Sequence, residues 1–386
     1  MRSDQHHIIV ISSCILLMTA LVNCRQVYNP PAIAAVNSYL VVDGFINTGP
    51  NAVTSFNINR TRNLGDSTTI GVPELNAKVS ILDTHGTTYT LTDTAGTGIY
   101  TSAPLTLDVT GQYSIAITTA DGRKYSSDAV PCQQTPPIDS VFWRQPENFT
   151  VYVSTHDPTN NTHYYRYDYS ETWEHDANII SPWGVVNGNL VATDTTNQKW
   201  RCWSTAPSTN ILIASSAALA QDVIDSFPVA TVPQGDSKID LQYSILVRQY
   251  ALTQDAYNYW LLIQKTSQNV GTLFDLQPTQ LVGNIHCLTN PSEPVIGFIS
   301  ANSVQQQRIF VYETYLTNWI HNSPAFGCDT IQIAYNPNSF PAFNPVDTGY
   351  GPYYFNGPTV LVLAPNFCLD CTRFGGTTVK PSFWPY

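Results

Sequence analysis

Residues 112–127 read QYSIAITTADGRKYSS, and this stretch decides the fold class. From Gln112 to Thr119 polarity alternates strictly: Tyr113, Ile115 and Ile117 fall on one face, Ser114, Ala116 and Thr118 on the other. A period of two marks a strand half buried in a sheet. Asp121-Gly122 then turns the chain, and Lys124-Tyr125-Ser126-Ser127 returns as the second arm of a hairpin. The same grammar extends upstream. Tyr39-Leu40-Val41-Val42 ends at Asp43-Gly44. Ala77 to Leu82 alternates, turns at Asp83-Thr84-His85-Gly86 and returns as Thr88-Tyr89-Thr90-Leu91. Short strands at roughly ten-residue spacing predict an antiparallel, immunoglobulin-like β-sandwich over residues 38–130.

Downstream, Val130-Pro131-Cys132-Gln133-Gln134-Thr135-Pro136-Pro137 marks a boundary, because its prolines cannot sit inside a sheet. Residues 131–386 are then a larger β-rich domain. Tyr164 to Glu174 alternates as one long strand, with Tyr165, Tyr167, Tyr169, Glu171 and Trp173 on one face and Arg166, Asp168, Ser170, Thr172 and Glu174 on the other. Ile211-Leu212-Ile213 and Tyr243-Ser244-Ile245-Leu246-Val247 read as further strands. One main helix is predicted at about 254–269: Thr253 is its N-cap, Asp255 favours its first turn, and Ala256, Tyr259, Trp260, Ile263 and Val270 form an apolar stripe. The segment Tyr335 to Pro358 reads as a long loop, and such loops are often binding elements. Its aromatics Phe340, Phe343, Tyr350, Tyr353, Tyr354 and Phe355 have no core reason to be there, and are the candidate ligand-binding residues.

The N-terminus points to export. Met1 to His7 is short and polar, Ile8 to Val22 is almost unbroken apolar, and Leu21-Val22-Asn23-Cys24 closes it like the lipobox of bacterial lipoproteins. Residues 1–23 are expected to be a signal peptide, Cys24 the lipidated residue, and 24–37 an extended tether. Net charge is −11, with 17 Lys+Arg against 28 Asp+Glu and no basic run, which excludes nucleic acid and anionic lipid surfaces as natural partners. Apolar residues at 43% suffice for a core, and aromatics at 12% suit a β-rich extracytoplasmic protein.

Beyond Cys14 and Cys24 lie Cys132, Cys202, Cys287, Cys328, Cys368 and Cys371, an even set that predicts disulfides outside the cytosol. The expected pairs are Cys202 with Cys287, and Cys328 with Cys368 or Cys371. Cys368-Leu369-Asp370-Cys371 lacks the second ligand pair of a zinc knuckle and the helix of a redox motif, so it reads as disulfide chemistry. His156, Asp157, His163, Glu174, His175 and Asp176 cluster in sequence. His156-Asp157-Pro158 is nonetheless an ordinary hairpin turn in which Asp caps its own backbone. With no G-x-S-x-G, H-E-x-x-H or P-loop, no catalytic residue, metal or cofactor is assigned.

An ordered set of segments resembles the domain-of-unknown-function family 4249. It runs through Tyr39 to Gly44, Arg60-Thr61, Ala77-Lys78-Val79, Pro137 to Ser140, His156-Asp157-Pro158, Tyr164-Tyr165-Arg166, Glu171-Thr172-Trp173 and Cys202-Trp203. It continues through Tyr243 to Tyr250, Gly283-Asn284-Ile285, Arg308-Ile309-Phe310 and Cys368 to Trp384. The resemblance implies an outer-membrane lipoprotein found near TonB-dependent receptors, an accessory that captures or gates a nutrient, with no known catalytic residues. Two other classes stay open: a surface hydrolase of glycans or peptides, and a structural or adhesive envelope protein.

Overall fold

The 112–127 stretch forms paired strands, Gln112–Thr118 and Lys124–Ser127, with Ile117 opposite Tyr125. The computed structural model describes residues 38–62, 71–187, 189–194, 198–268, 283–320, 327–336 and 349–385. Cys24 and the leader, together with Phe340 and Phe343, lie outside the described residues. The chain is mainly β, with one main helix.

Eight strands of the first module hydrogen-bond in a closed circuit. In order they are Gln112–Thr118, Lys78–Asp83, Thr88–Thr92, Ile99–Ser102, Ser55–Arg60, Leu40–Asn47, Ala301–Asn302 and Val130–Gln133, the last pairing back to the first. Closure leaves no free edge among them. Inward positions make the core: Leu40, Phe56, Ile58, Ile81, Tyr113, Ile115 and Ile117 are all nearly solvent-free. The ring spans the expected boundary at residue 130, because Ala301–Asn302 lies parallel between Leu40–Asn47 and Val130–Gln133. Gly297 lets this segment return. Its φ is +145°, and a Cβ there would stand 2.3 Å from the Val42 carbonyl oxygen. A rim network also holds it: Glu293 accepts from the Tyr125 hydroxyl at 2.7 Å and pairs with Arg123 at 3.2 Å, while Arg60 bonds Glu74 at 2.6 Å.

The second module packs two sheets face to face. Ile138–Arg144, Phe149–His156 and Val223–Val232 form one. The other is five-stranded, ordered Arg201–Pro207, Tyr164–Asp176, Gln242–Ala251, Val304–Tyr312, with Leu212–Ser215 also on the long strand. Val151, Val153, Tyr165, Tyr167, Tyr243, Ile245 and Val247 fill the space between them. Glu171 is 5% exposed on this inner face, where Lys238 Nζ at 2.8 Å and the Tyr243 hydroxyl at 2.6 Å donate to it. Asp222, 1% exposed, accepts from the Tyr165 and Ser216 hydroxyls. Buried carboxylates persist only when paired in this way.

The helix, α1 (Gln254–Gln268), starts where expected, with the Thr253 hydroxyl accepting from the Ala256 amide at 3.2 Å. A third, three-stranded sheet orders Ile331–Ala334, Val360–Pro365 and Tyr350–Phe355. The disulfides join Cys202 to Cys371 and Cys328 to Cys368. The second pair matches the expectation. The first corrects it: Cys287 is a free thiol in the core of the ring, on Ile285–Cys287, whereas Cys202 lies on the second module's sheet. Cys132, on a ring strand, is free as well.

Candidate functional site

The outer face of the five-stranded sheet is built by register. Opposite the outward residues Arg166, Asp168, Ser170 and Thr172 stand Tyr250, Arg248, Leu246 and Ser244. Opposite Arg248, Leu246 and Ser244 stand Gln306, Arg308 and Phe310 on the next strand. Because side chains alternate along a strand, all of these point away from the core. The strands Tyr164–Asp176 and Gln242–Ala251 therefore turn a mainly apolar face to the core and carry Arg166, Asp168 and Arg248 on the other.

Two covers sit on this face and leave a gap. At one end α1 brings Trp260 over Arg166, whose guanidinium carbon lies 4.6 Å from the Trp260 ring centre and 4.6 Å from that of Tyr250. At the other end the C-terminal tail lies across the sheet. Trp384 is 4% exposed, meets Phe310 edge-on at 5.7 Å, and donates from Nε1 to Glu174 at 3.3 Å. The tail is held by the Cys202–Cys371 disulfide and by paired backbone bonds between Trp203 and Thr377. Gly376 permits this approach, since a Cβ there would stand 2.7 Å from both Cys202 Cβ and His175 Nε2. Between the covers Asp168, Ser170, Leu246, Arg248 and Arg308 are partly exposed, and Gln306 is exposed.

The gap is cationic. Asp168 accepts from Arg248 Nε at 2.5 Å and from the Tyr250 hydroxyl at 2.7 Å, and Arg166 approaches it at 3.8 Å. Burial works against the Arg248 charge, but Asp168 and Tyr250 more than offset it and its pKa is raised. Arg308 is in a different position. Burial, and then the charge of Arg248, pull its guanidinium below the ordinary value. Its contacts are the Ser244 hydroxyl, to which Nη1 donates at 3.0 Å, and the face of Phe383, 3.7 Å from the guanidinium carbon to the ring centre. Farther along the same face, Arg201 pairs with Glu174 at 3.2 Å and Asp176 at 2.9 Å.

The sequence-derived candidates fall elsewhere. Tyr350, Tyr353, Tyr354 and Phe355 were expected on a loop but lie on the strand Tyr350–Phe355, paired with Val360–Pro365. Phe355 meets Trp183 and Tyr335 edge-on, at 5.2 and 4.8 Å, so it packs between elements; Tyr354 is 42% exposed. The expected loop reading fails here because aromatics also have high strand propensity, and alternate strand positions need not all face a core. His156-Asp157-Pro158 opens a turn, as its sequence predicts. Burial would raise the Asp157 pKa, but the Thr159 hydroxyl and the amides of Thr159, Asn161 and Thr162 outweigh it and bring it to about 2. His156 pairs with Asp139 at 2.8 Å and His175 bonds Ser204 at 2.9 Å, so the clustered histidines go to separate partners. Among the described residues no group of His, Cys, Asp and Glu is arranged to hold a metal.

A recess of about 510 Å³ on the ring is lined by residues including Lys78, Asp93 and Tyr100. Its polar groups are largely engaged: the Tyr100 hydroxyl donates to the Glu74 carbonyl, and Asp93 accepts from the amides of Thr97 and Gly98. The arginine face is the better candidate. Sequence reasoning missed it, although arginines alternating into strands of a chain with only 17 cations are a signal.

Comparison with known proteins adds little chemistry. A family model described as "Domain of unknown function (DUF4249)" matches residues 26–308. No curated protein matches the sequence. Among solved structures, a DUF4785 family protein from Legionella pneumophila is 11% identical, covering 54% of this chain and 52% of that one, with a TM-score of 0.20. This chain thus spans about half of that structure.

Proposed function

The chain belongs to the DUF4249 family, and from that premise we propose that it is a lipid-anchored outer-membrane accessory protein that captures a nutrient for a TonB-dependent receptor. The observation that carries the capture role is the partly exposed arginine face between α1 and the C-terminal tail. A rigid sheet presents its side chains at fixed spacing, which is what a binding surface requires. Export and anchoring are supported by Leu21-Val22-Asn23-Cys24 and by two disulfides, which persist in oxidising compartments. The hydrolase reading is less well supported. Glu171, Glu174 and Asp222, the buried carboxylates of the second module, are committed to Lys238 and Tyr243, to Arg201 and Trp384, and to Tyr165 and Ser216. A general acid or base must instead be free to exchange a proton with substrate.

The test is isolation of the full chain from its native envelope after chemical crosslinking, through an epitope inserted in the exposed turn at Thr84-His85-Gly86. A β-barrel receptor in stoichiometric amount is expected. A chain that isolates alone, crosslinked or not, overturns the reading.

A further inference from the structure

We propose that Arg248 and Arg308 form an oxyanion site that holds a carboxylate or phosphate group of a small organic ligand on the outer face of the second module's sheet. The inference deepens the capture reading and rests on it for the ligand's destination, but the binding itself is tested separately.

Three observations converge. The first is charge. Among the described residues, Arg166, Arg248 and Arg308 share this stretch of the face with a single carboxylate, Asp168, and so outnumber it by two charges in a chain whose net charge is −11. Elsewhere on the same face the balance is reversed, since Arg201 sits between Glu174 and Asp176.

The second is the unused capacity of Arg308. A guanidinium carries five N–H donors in a planar fork. One bonds Ser244 Oγ, one face of the fork stacks on Phe383, and no carboxylate among the described residues pairs with it. A guanidinium withdrawn from water ordinarily has such a partner. The lowering of its pKa by burial and by Arg248 is the electrostatic sign of the same shortage.

The third is spacing. Arg308 stands opposite Leu246, and Arg248 opposite Gln306, so the two arginines are diagonal neighbours on adjacent strands. Diagonal positions lie roughly 7–8 Å apart at the backbone, within reach of long side chains. Like charges so placed repel, and an oxyanion between the two forks replaces that repulsion with charge-assisted hydrogen bonds. Leu246, partly exposed beside them, and Phe383, 41% exposed, offer an apolar surface to the ligand's carbon skeleton.

The experiment uses the full chain in mild detergent at low ionic strength. Phenylglyoxal labels accessible arginines, mass spectrometry reads the sites, and citrate or inorganic phosphate is titrated in as the protecting anion. Labelling of Arg248 and Arg308 is expected in the free protein, with concentration-dependent protection of both. Protection by citrate alone assigns a carboxylate ligand, and by phosphate alone a phosphate ligand. In Arg308→Met the half-protecting concentration, read at Arg248, is expected to rise at least about tenfold, equivalent to about 1.4 kcal/mol. Arg144→Met, at an arginine stacked on Phe142 and Tyr152 away from this face, should leave it unchanged. Absence of protection by either anion in the wild-type chain overturns the proposal without any variant having to fold. An unchanged half-protecting concentration in Arg308→Met overturns it too. A receptor captured by crosslinking without anion protection sinks this inference alone; protection without a receptor sinks the uptake reading alone.

Discussion

Every strand of the first module's ring has two hydrogen-bonded neighbours, whereas the second module's five-stranded sheet ends on Arg201–Pro207 and Val304–Tyr312. The ring faces its apolar residues inward and confines its ion pairs to the rim around Glu293. The open sheet packs its inner face on a second sheet and must have its outer face covered by separate pieces, α1 at one end and the tail at the other. The cysteines divide in the same way. Among the described residues the two free thiols, Cys132 on a ring strand and Cys287 in the ring's core, lie in the first module, and the two disulfides tie down segments attached to the second module. A closed circuit stabilises itself and leaves little to bind with. An open sheet needs covers, and the gap between covers is where a ligand can reach a rigid, charged surface.

The largest effect is expected from Phe56→Ala in the ring, where a solvent-free aromatic is removed at a cost of about 3–5 kcal/mol. Hydrogen exchange should then show lost protection in Gln112–Thr118 while Gln242–Ala251 stays protected; equal loss in both would mean that the two modules unfold as one. Next comes Cys371→Ser. It opens a disulfide spanning 169 residues and should cost about 2–4 kcal/mol, read as lost protection in Arg201–Pro207 with the ring unaffected. Exchange that changes in the ring instead would contradict the division.

The smallest effect is one of pH. Burial holds the His175 imidazole below its ordinary 6.5, against the pull of Asp176. As pH falls below that value the unfolded chain takes up the proton first, so a contribution fully present above 6.5 is lost as pH approaches the folded value. The melting temperature should therefore fall more steeply from pH 6.5 downward in the wild type than in His175→Gln. Parallel curves would show that His175 does not contribute to this pH dependence. The exposed His156 has the opposite sign, because Asp139 raises its pKa, and its contribution is lost as pH rises.

Local features were legible in the sequence, and features made by register were not. The 112–127 hairpin, the Thr253 cap and the Asp157 turn depend on residues within a few positions of one another, and each formed as read. Ring closure depends on the pairing of the two residues Ala301–Asn302 with strands more than 150 positions earlier, which no periodicity announces. The Cys202–Cys371 link depends on the path of the tail, which spacing does not encode. The arginine face was hidden for a related reason. Arg166, Arg248 and Arg308 lie on three strands, and each looks like an ordinary solvated residue until the pairing sets them side by side.

The proposal that the open sheet and not the ring is the working surface is tested by a paired photocrosslinking measurement on the full chain in its native envelope. One probe replaces Gln306 on the arginine face and the other replaces Thr92 on the ring, both exposed. A receptor-sized adduct is expected from position 306 and none from position 92. An adduct from position 92 alone, or from neither position, would contradict it.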